Sequence, residues 1–378
     1  MVRILRSGHM KIRKIALNGF RNYEWETADF SSQTNVITGE NAQGKTNLLE
    51  AVYMLSCGKS FRTRFDREMV GFDFSEAEIL ADIFSHDREQ TIRIRLCPGQ
   101  AKRITVNGVK KSITELSETV NAVLFCPDDL NLIKDGAAVR RKMMDQAISQ
   151  IRPKYAELLT EFNRLYEHKT RILKDWREKP SLLDTLDAFS DALCRVSAQM
   201  IRYRASYMSR LNEAAKPIHA DFSGKGEEIE LIYRTVSTVR DPFSSSREIY
   251  YDICDHQEAH RQAELDSAQC LTGAHKDDVE ILIDGRSARS FASQGQTRTA
   301  ALSVKLAERE IILQETGEYP ILLLDDVLSE LDEKRQEFVL NRIGGGQTLI
   351  TCCEDTDISG RTGGKVFSVN GGKIRECT

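Results

Sequence analysis

The hydrophobic period along this chain changes twice. Before about residue 125, apolar and polar positions alternate in short runs, as in Thr91, Ile92, Arg93, Ile94, Arg95, Leu96. That period predicts half-buried strands over residues 11–17, 77–84, 90–96 and 103–106. Asn107 and Gly108 turn the last of these as a hairpin. Residues 35–38, with Val36 and Ile37 at their centre, predict a short buried strand, and the mostly apolar residues 120–125 a further one, ended by Pro127.

Further on, the steps alternate four and three. One series runs Ile151, Tyr155, Leu158, Phe162, Leu165, Ile172, Trp176, with only Lys169 interrupting. After a break at Glu178, Lys179, Pro180 and Ser181, a second runs Leu182, Leu186, Phe189, Leu193, Val196, Met200, Tyr203, Tyr207. This is the heptad period, and it predicts an antiparallel helical hairpin with arms of roughly 40 Å. Two forms of it are open: a projecting arm, or a bundle in which a third helix shares the seam. Residues 228–233 predict a strand and 256–265 a helix. From residue 279 onward strand and helix alternate: strands at 279–283, 320–324 and 347–351, helices at 296–314 and 330–343. That order predicts a parallel α/β sheet.

With 378 residues, a length of two or three domains is expected. A formal net charge of −4 leaves room for a local basic patch but not for an overall basic surface. No apolar run is long enough to span a bilayer. Nine cysteines form no C-x-x-C pair, which argues against a zinc ribbon or a thioredoxin-type motif and for free thiols in a reducing, cytoplasmic setting. Cys352 and Cys353 are read as packing residues at a strand end. Residues 1–9 stand apart from the first strand pattern and are left out of the fold reasoning.

The chemistry concentrates between the strand at 35–38 and an apolar helix starting near Asn47. Gly39, Glu40, Asn41, Ala42, Gln43, Gly44, Lys45 and Thr46 satisfy G-x-x-x-x-G-K-[ST] at every fixed position. Glycines there let backbone N–H groups curl around phosphates, and the helix N-terminus adds partial positive charge. Lys45 is expected on the β- and γ-phosphates of ATP, and the Thr46 hydroxyl on Mg²⁺. Residues 321–324 form an apolar strand ending in Asp325 and Asp326. Asp325 is expected to support the metal, directly or through water, and Asp326 to orient or deprotonate the attacking water. Phe291, Ala292, Ser293, Gln294, Gly295 and Gln296 lead straight into a helix. Ser293 is either an anion site or a simple N-cap. Ser329 and Asp332 offer the same choice.

Together these segments resemble the ABC-type ATPase heads of SMC-like DNA repair and chromosome-maintenance proteins. Ser293 to Gln296 are similar to their signature motif, and Ser329, Glu330, Leu331 and Asp332 to their dimer-interface loop. Within that group the match is to the bacterial RecF family. It rests on residues 19–23, 41–51 and 58–63, on Arg140 and Arg141 with Asp145, on Thr272 to Asp278, and on Ser293 to Gln296 with Arg298. The resemblance departs at Ala274 and Lys276, at Asp326 where many such ATPases carry Glu, and at Thr351 and Cys352 where a switch histidine is usual.

The resemblance implies an ABC-type head of mixed sheet and parallel α/β core. Residues 10–127 and 251–378 are expected to build the head, and residues 128–250 an inserted helical coiled-coil-like arm. It implies a weak DNA-stimulated ATPase in which Lys45, Asp325 and Asp326 act in one copy, and Ser293, Gly295 and Gln296 meet the nucleotide of a second copy in an ATP-dependent homodimer. DNA and the mediators RecR and RecO are its implied partners, at the nucleoid. Candidate phosphate contacts are Lys59, Arg62, Arg64, Lys102, Arg103, Lys110, Lys111, Arg140, Arg141 and Lys142, although for any one of them ordinary charged surface is the default reading. An ABC transporter subunit is disfavoured by the long separation of Gly39 from Ser293. A zinc-hook repair ATPase is disfavoured by the short arms and the missing C-x-x-C at the turn. An ATP-binding scaffold without turnover is the remaining alternative.

Overall fold

The computed structural model describes residues 9–224, 226–353 and 358–377, so residues 1–8 and Lys225 of the expected 224–226 loop lie outside it. The chain divides into two compact units, Met1–Leu130 with Lys305–Thr378, and Asn131–Val304.

The first unit contains two sheets. Strands β1 (Lys11–Phe20), β2 (Tyr23–Asp29), β4 (Ala77–Ser85), β5 (Arg88–Leu96), β6 (Arg103–Val106) and β7 (Val109–Lys111) form one, in the order β2-β1-β4-β5-β6-β7. Each neighbouring pair is antiparallel. Asn107 takes φ 50 and Gly108 φ 80, the left-handed pair that a tight hairpin requires. The second sheet is built around β3 (Thr34–Thr38) and β8 (Ala122–Phe125), joined by four C-terminal strands given below. Between β3 and β4 lies α1 (Lys45–Cys57), whose residues Leu48, Leu49, Val52, Met54 and Leu55 are buried. They share one apolar cluster with side chains of both sheets, which explains why this helix is apolar on more than one face. A short α2 (Ile113–Leu116) follows β7, capped by Ser112 and Glu115.

The second unit is largely helical: α3 (Ala137–Ile151), α4 (Pro153–Asp175), α5 (Leu183–Phe222) and α6 (Ser246–Ser267). Ile151, the first residue of the expected seam, closes α3, and Pro153 opens α4, where its missing N–H costs nothing. Helix α5 runs well beyond the expected end of its arm. The choice between projecting arm and bundle is decided by Lys169. This one polar seam position is 0% exposed, and its Nζ lies 2.8 Å from Glu264 Oε2 and 2.5 Å from Gln257 Oε1, both on α6. A third helix therefore covers the seam, and a bundle forms.

Strand β9 (Ile229–Arg234) pairs antiparallel with β10 (Asp278–Ile283), which pairs with β11 (Arg286–Ser287). These pairings differ from the expected division. They tie residues 278–287, placed by sequence with the C-terminal head, to a strand of the inserted segment, and the unit extends to Val304 rather than ending at residue 250. Helix α7 (Ala288–Phe291) follows. Next comes α8 (Gln294–Thr316), along which the boundary between the units falls.

The chain returns through β12 (Ile321–Asp325), α9 (Glu333–Arg342), β13 (Thr348–Cys352), β14 (Lys365–Asn370) and β15 (Lys373–Cys377). The second sheet has the order β15-β14-β3-β13-β12-β8, parallel except at the β14–β15 edge. Phosphate-loop strand and acid strand are thus separated by one strand, β13. Asp332, not residue 330, starts α9: its side chain accepts from Arg335 N–H at 3.0 Å.

The second unit also explains several family-like residues. Arg204 on α5 is 2% exposed. It donates to Asp277 Oδ2 at 2.6 Å, Asp145 Oδ1 at 2.8 Å, the Ala274 carbonyl at 2.6 Å and Tyr155 Oη at 2.9 Å. Asp277 also accepts from Tyr233 and Thr235. Burial pushes the Asp277 carboxyl upward, and Arg204 opposes that shift. Replacing Arg204 with Ala leaves two carboxylates without their cation, at a cost of about 3–5 kcal/mol. The expected outcome is a markedly lower midpoint for the helical unit's transition in urea, followed by circular dichroism; an unchanged midpoint would contradict this role.

Candidate functional site

The glycine loop leaves β3 at Gly39 and enters α1 at Lys45. Gly39 has φ 150, and a Cβ there would collide with the Val369 carbonyl of β14, so no other residue fits. Gly44 has φ 125, with the Asn22 side chain and Tyr23 hydroxyl packed where a Cβ would point. The loop is held from behind. Tyr23 Oη donates to the Gly44 carbonyl at 2.8 Å, and Asn22 Nδ2 to the Gln43 carbonyl at 2.8 Å. From the β14–β15 turn, Gly372 N–H reaches the same Gln43 carbonyl at 3.0 Å, and Gly371 N–H reaches Gln43 Oε1 at 2.6 Å. Carbonyls thus engaged from outside let the curl of the loop persist. Lys45 is 4% exposed, and its ammonium donates to the Gly39 and Glu40 carbonyls at 2.6 and 3.1 Å. A cation so placed, beside backbone N–H groups at a helix N-terminus, fits a polyphosphate.

Behind the loop, Thr46 Oγ1 donates to Asp325 Oδ1 at 2.9 Å. Thr351 Oγ1 donates to the same oxygen at 2.9 Å and accepts from Asp326 N–H at 2.8 Å. Burial pushes the Asp325 carboxyl above its ordinary range, while the Thr351 and Thr46 hydroxyls pull it back. A nearby cation would favour the carboxylate further. Among the described residues no group of three or more His, Cys, Asp or Glu is placed to hold a metal. A hydroxyl beside one carboxylate is instead the partial donor set that suits Mg²⁺ when phosphates and water complete its shell. Asp326 adopts φ 50, uncommon for a residue with a Cβ, and its Oδ1 is shielded without a hydrogen-bond partner among the described residues. Ser329 Oγ donates to the Asp326 carbonyl at 2.6 Å, tying the following loop to the acid.

Sequence reasoning assigned no role to Glu50, which is 0% exposed on α1. It takes a two-pronged bond from Arg21 at 2.8 and 2.7 Å and another from Ser60. Arg62 donates to Asn47 Oδ1 at 2.6 Å, and Asn47 to Asn22 at 2.8 Å. A charged residue in an otherwise apolar helix is the signal that marked Glu50. Thr351 stands out in the sequence only as the residue found where a switch histidine is usual; a strand threonine gives no sign of a contact with Asp325.

The signature residues lie in the other unit, at the head of α8. Ser293 N–H donates to Gln296 Oε1 at 2.9 Å, and Gln296 N–H to Ser293 Oγ at 3.2 Å, a reciprocal capping box. Gln296 Nε2 donates to Glu227 Oε1 at 2.8 Å, and Glu227 faces the buried His219 at 3.5 Å. Ser293 therefore caps α8.

The basic candidates separate by burial. Arg140 is a correction: it is 3% exposed, bound to Asp278 at 2.7 and 3.0 Å and to the carbonyls of Leu132 and Asp135, so it holds the helical unit together rather than presenting charge at a surface. Arg141 reaches the Asp277 carbonyl, Lys102 reaches Gly58 and Asp66, and Lys111 pairs with Glu115. Lys59, Arg64, Arg103, Lys110 and Lys142 are exposed, as is Arg62 despite its bond to Asn47. At the strand end where many such ATPases carry a switch histidine, Thr351 and Cys352 are buried, and residues 354–357 lie outside the described set.

Residues 11–362 match the family model of the RecF/RecN/SMC N terminal domain. The DNA replication and repair protein RecF of Clostridium acetobutylicum is 38% identical over 370 residues, 97% of this chain and 100% of that protein. The protein of the same name from Acetivibrio thermocellus is 39% identical over 346 residues, 91% of this chain and 94% of its own. A solved structure of the recombination mediator protein RecF-ATP in the RecFOR pathway superposes with TM-score 0.90 at 33% identity, covering 100% of both chains. An Smc head domain from Pyrococcus furiosus superposes with TM-score 0.56 at 18% identity, covering 98% of this chain and 96% of its own, a likeness of fold. The chain belongs to the RecF family, and its fold is that of an SMC-like ABC-type ATPase head with an inserted helical segment.

Proposed function

We propose that this chain is an ATP-dependent DNA-binding protein of recombinational repair and replication-fork maintenance. It closes into an ATP-gated homodimer on duplex or gapped DNA and reopens on slow hydrolysis. The observation that carries this reading is the Thr46–Asp325–Thr351 cluster behind the glycine loop. It gives a polyphosphate cradle a partial ligand set for Mg²⁺ and a second acid beside it. Lys45 and the loop N–H groups would bind the β- and γ-phosphates, Thr46 and Asp325 would hold the metal, and Asp326 Oδ1 would accept a hydrogen bond from the attacking water. Bound Mg²⁺ would supply charge neutralisation at the γ-phosphate.

Ser293, Gly295 and Gln296 would meet the γ-phosphate bound by a second copy. The N–H groups at the start of α8 suit an anion, and RecF relatives solved with nucleotide support ATP as that ligand. The exposed Lys59, Arg62, Arg64, Arg103, Lys110 and Lys142 would contact DNA phosphates without reading sequence. The family and the RecFOR pathway of its solved relatives support RecR and RecO as partners and the nucleoid as the place of action.

Two outcomes are expected. ATP should raise the mass seen by light scattering from monomer to dimer, most durably in Asp326→Asn, while Lys45→Ala stays monomeric and binds no ATP. An ATP-binding chain that stays monomeric in the Asp326→Asn form would contradict the dimer. In gel shifts with ATP, Lys59→Ala and Arg64→Ala should each weaken duplex binding alike for all sequences, reducing the salt slope by about one. DNA binding that is absent in the parent protein, with ATP binding intact, would favour the scaffold reading instead.

A further inference from the structure

Thr351 lies on β13 directly beside the acid strand, with Asp325 as its partner in register. It is 1% exposed. Its hydroxyl has a single proton, and the geometry assigns it. Asp325 Oδ1 is 2.9 Å away, whereas the alternative acceptor, the Leu324 carbonyl, is 3.5 Å away. A lone pair of the same hydroxyl accepts Asp326 N–H at 2.8 Å. The β12–β13 ladder ends at the Asp325–Thr351 pair, so Asp326 N–H lies beyond the last strand pairing. The threonine side chain supplies the partner that the ladder does not. That bond comes where the backbone turns to φ 50, the conformation that swings the Asp326 carboxylate off the strand.

We propose that Thr351 is a positioning residue for both acids, fixing the carboxylate of Asp325 and the backbone from which Asp326 reaches water. The proposal rests on the reading that these acids serve ATP hydrolysis. The two hydroxyls on Asp325 Oδ1 are not equivalent in it. Thr46, at the head of α1, is the hydroxyl expected to turn toward Mg²⁺. Thr351 belongs to the sheet and stays. Packing alone does not call for a hydroxyl here, because valine fills nearly the same volume in a buried strand. Among the described residues the polar atom serves only the two acids and, distantly, the Leu324 carbonyl.

The test uses the full chain with Mg²⁺, ATP and duplex DNA. Thr351→Val should lower kcat about tenfold while leaving KM for ATP within about twofold, the loss of one oriented hydrogen bond expressed in the chemical step. The ATP-held dimer, followed by light scattering, should persist longer than in the parent because turnover releases it. Thr351→Ser should restore both readings. Turnover by Thr351→Val at the parent rate, while Asp326→Asn is slow, would overturn this inference and leave the underlying reading standing. So would a serine variant as impaired as the valine variant. Asp326→Asn turning over at the parent rate would overturn the underlying reading itself.

Discussion

The first unit depends on keeping one carboxylate in place at the end of an apolar strand. Asp325 is taken largely out of water by the sheet around it, and burial by itself would favour its neutral form. Two threonine hydroxyls, one from the phosphate-loop helix and one from the adjacent strand, counter that cost. The strand order serves this arrangement. With β13 lying between β3 and β12, the glycine loop and the acids emerge together at the C-terminal ends of these parallel strands, and Thr351 reaches across from the strand between them.

The loop itself is shaped from outside. Tyr23, Asn22, Gly371 and Gly372 engage the carbonyls and side chain of its last residues, while Val369 closes the space beside Gly39. These groups come from the antiparallel sheet and from the last hairpin of the chain, far from the loop in sequence. Helix α1 joins the two sheets through one apolar cluster, so the antiparallel sheet is part of the support of the nucleotide cradle. The helical unit is held differently, by buried ion pairs. Arg204 and Lys169 meet carboxylates out of water, and the buried Arg140 meets the half-buried Asp278; such pairs fix the register between elements at a desolvation cost.

Much of this was legible in the sequence. The glycine loop, the acid strand and the alternation of strand and helix after residue 279 each carry a local signal with a local cause: a φ that only glycine adopts, a buried apolar run, a period. The helical seam was legible as a period, but its covering by α6 was not. The clue was Lys169, a polar residue at a seam position, and its partner Glu264 lies 95 residues away. The same distance problem hid Thr351 and misplaced Arg140. An arginine in a run of basic residues reads as surface until Asp278 is brought beside it, and a strand threonine reads as unremarkable until the ladder is seen to end at it. The unit boundary escaped for a related reason, because β9 and β10 pair across 44 residues, and a pairing leaves no mark on either strand alone.

On the proposed function, a complete nucleotide site takes its glycine loop from one copy and its signature serine from another. Mixing two inactive forms tests it directly. Lys45→Ala keeps an intact signature, and Ser293→Arg keeps an intact loop. Each alone should hydrolyse no ATP, and an equimolar mixture should regain part of the parent activity, because heterodimers contain one intact composite site. A mixture as inactive as its components, or full activity in Ser293→Arg alone, would contradict the account.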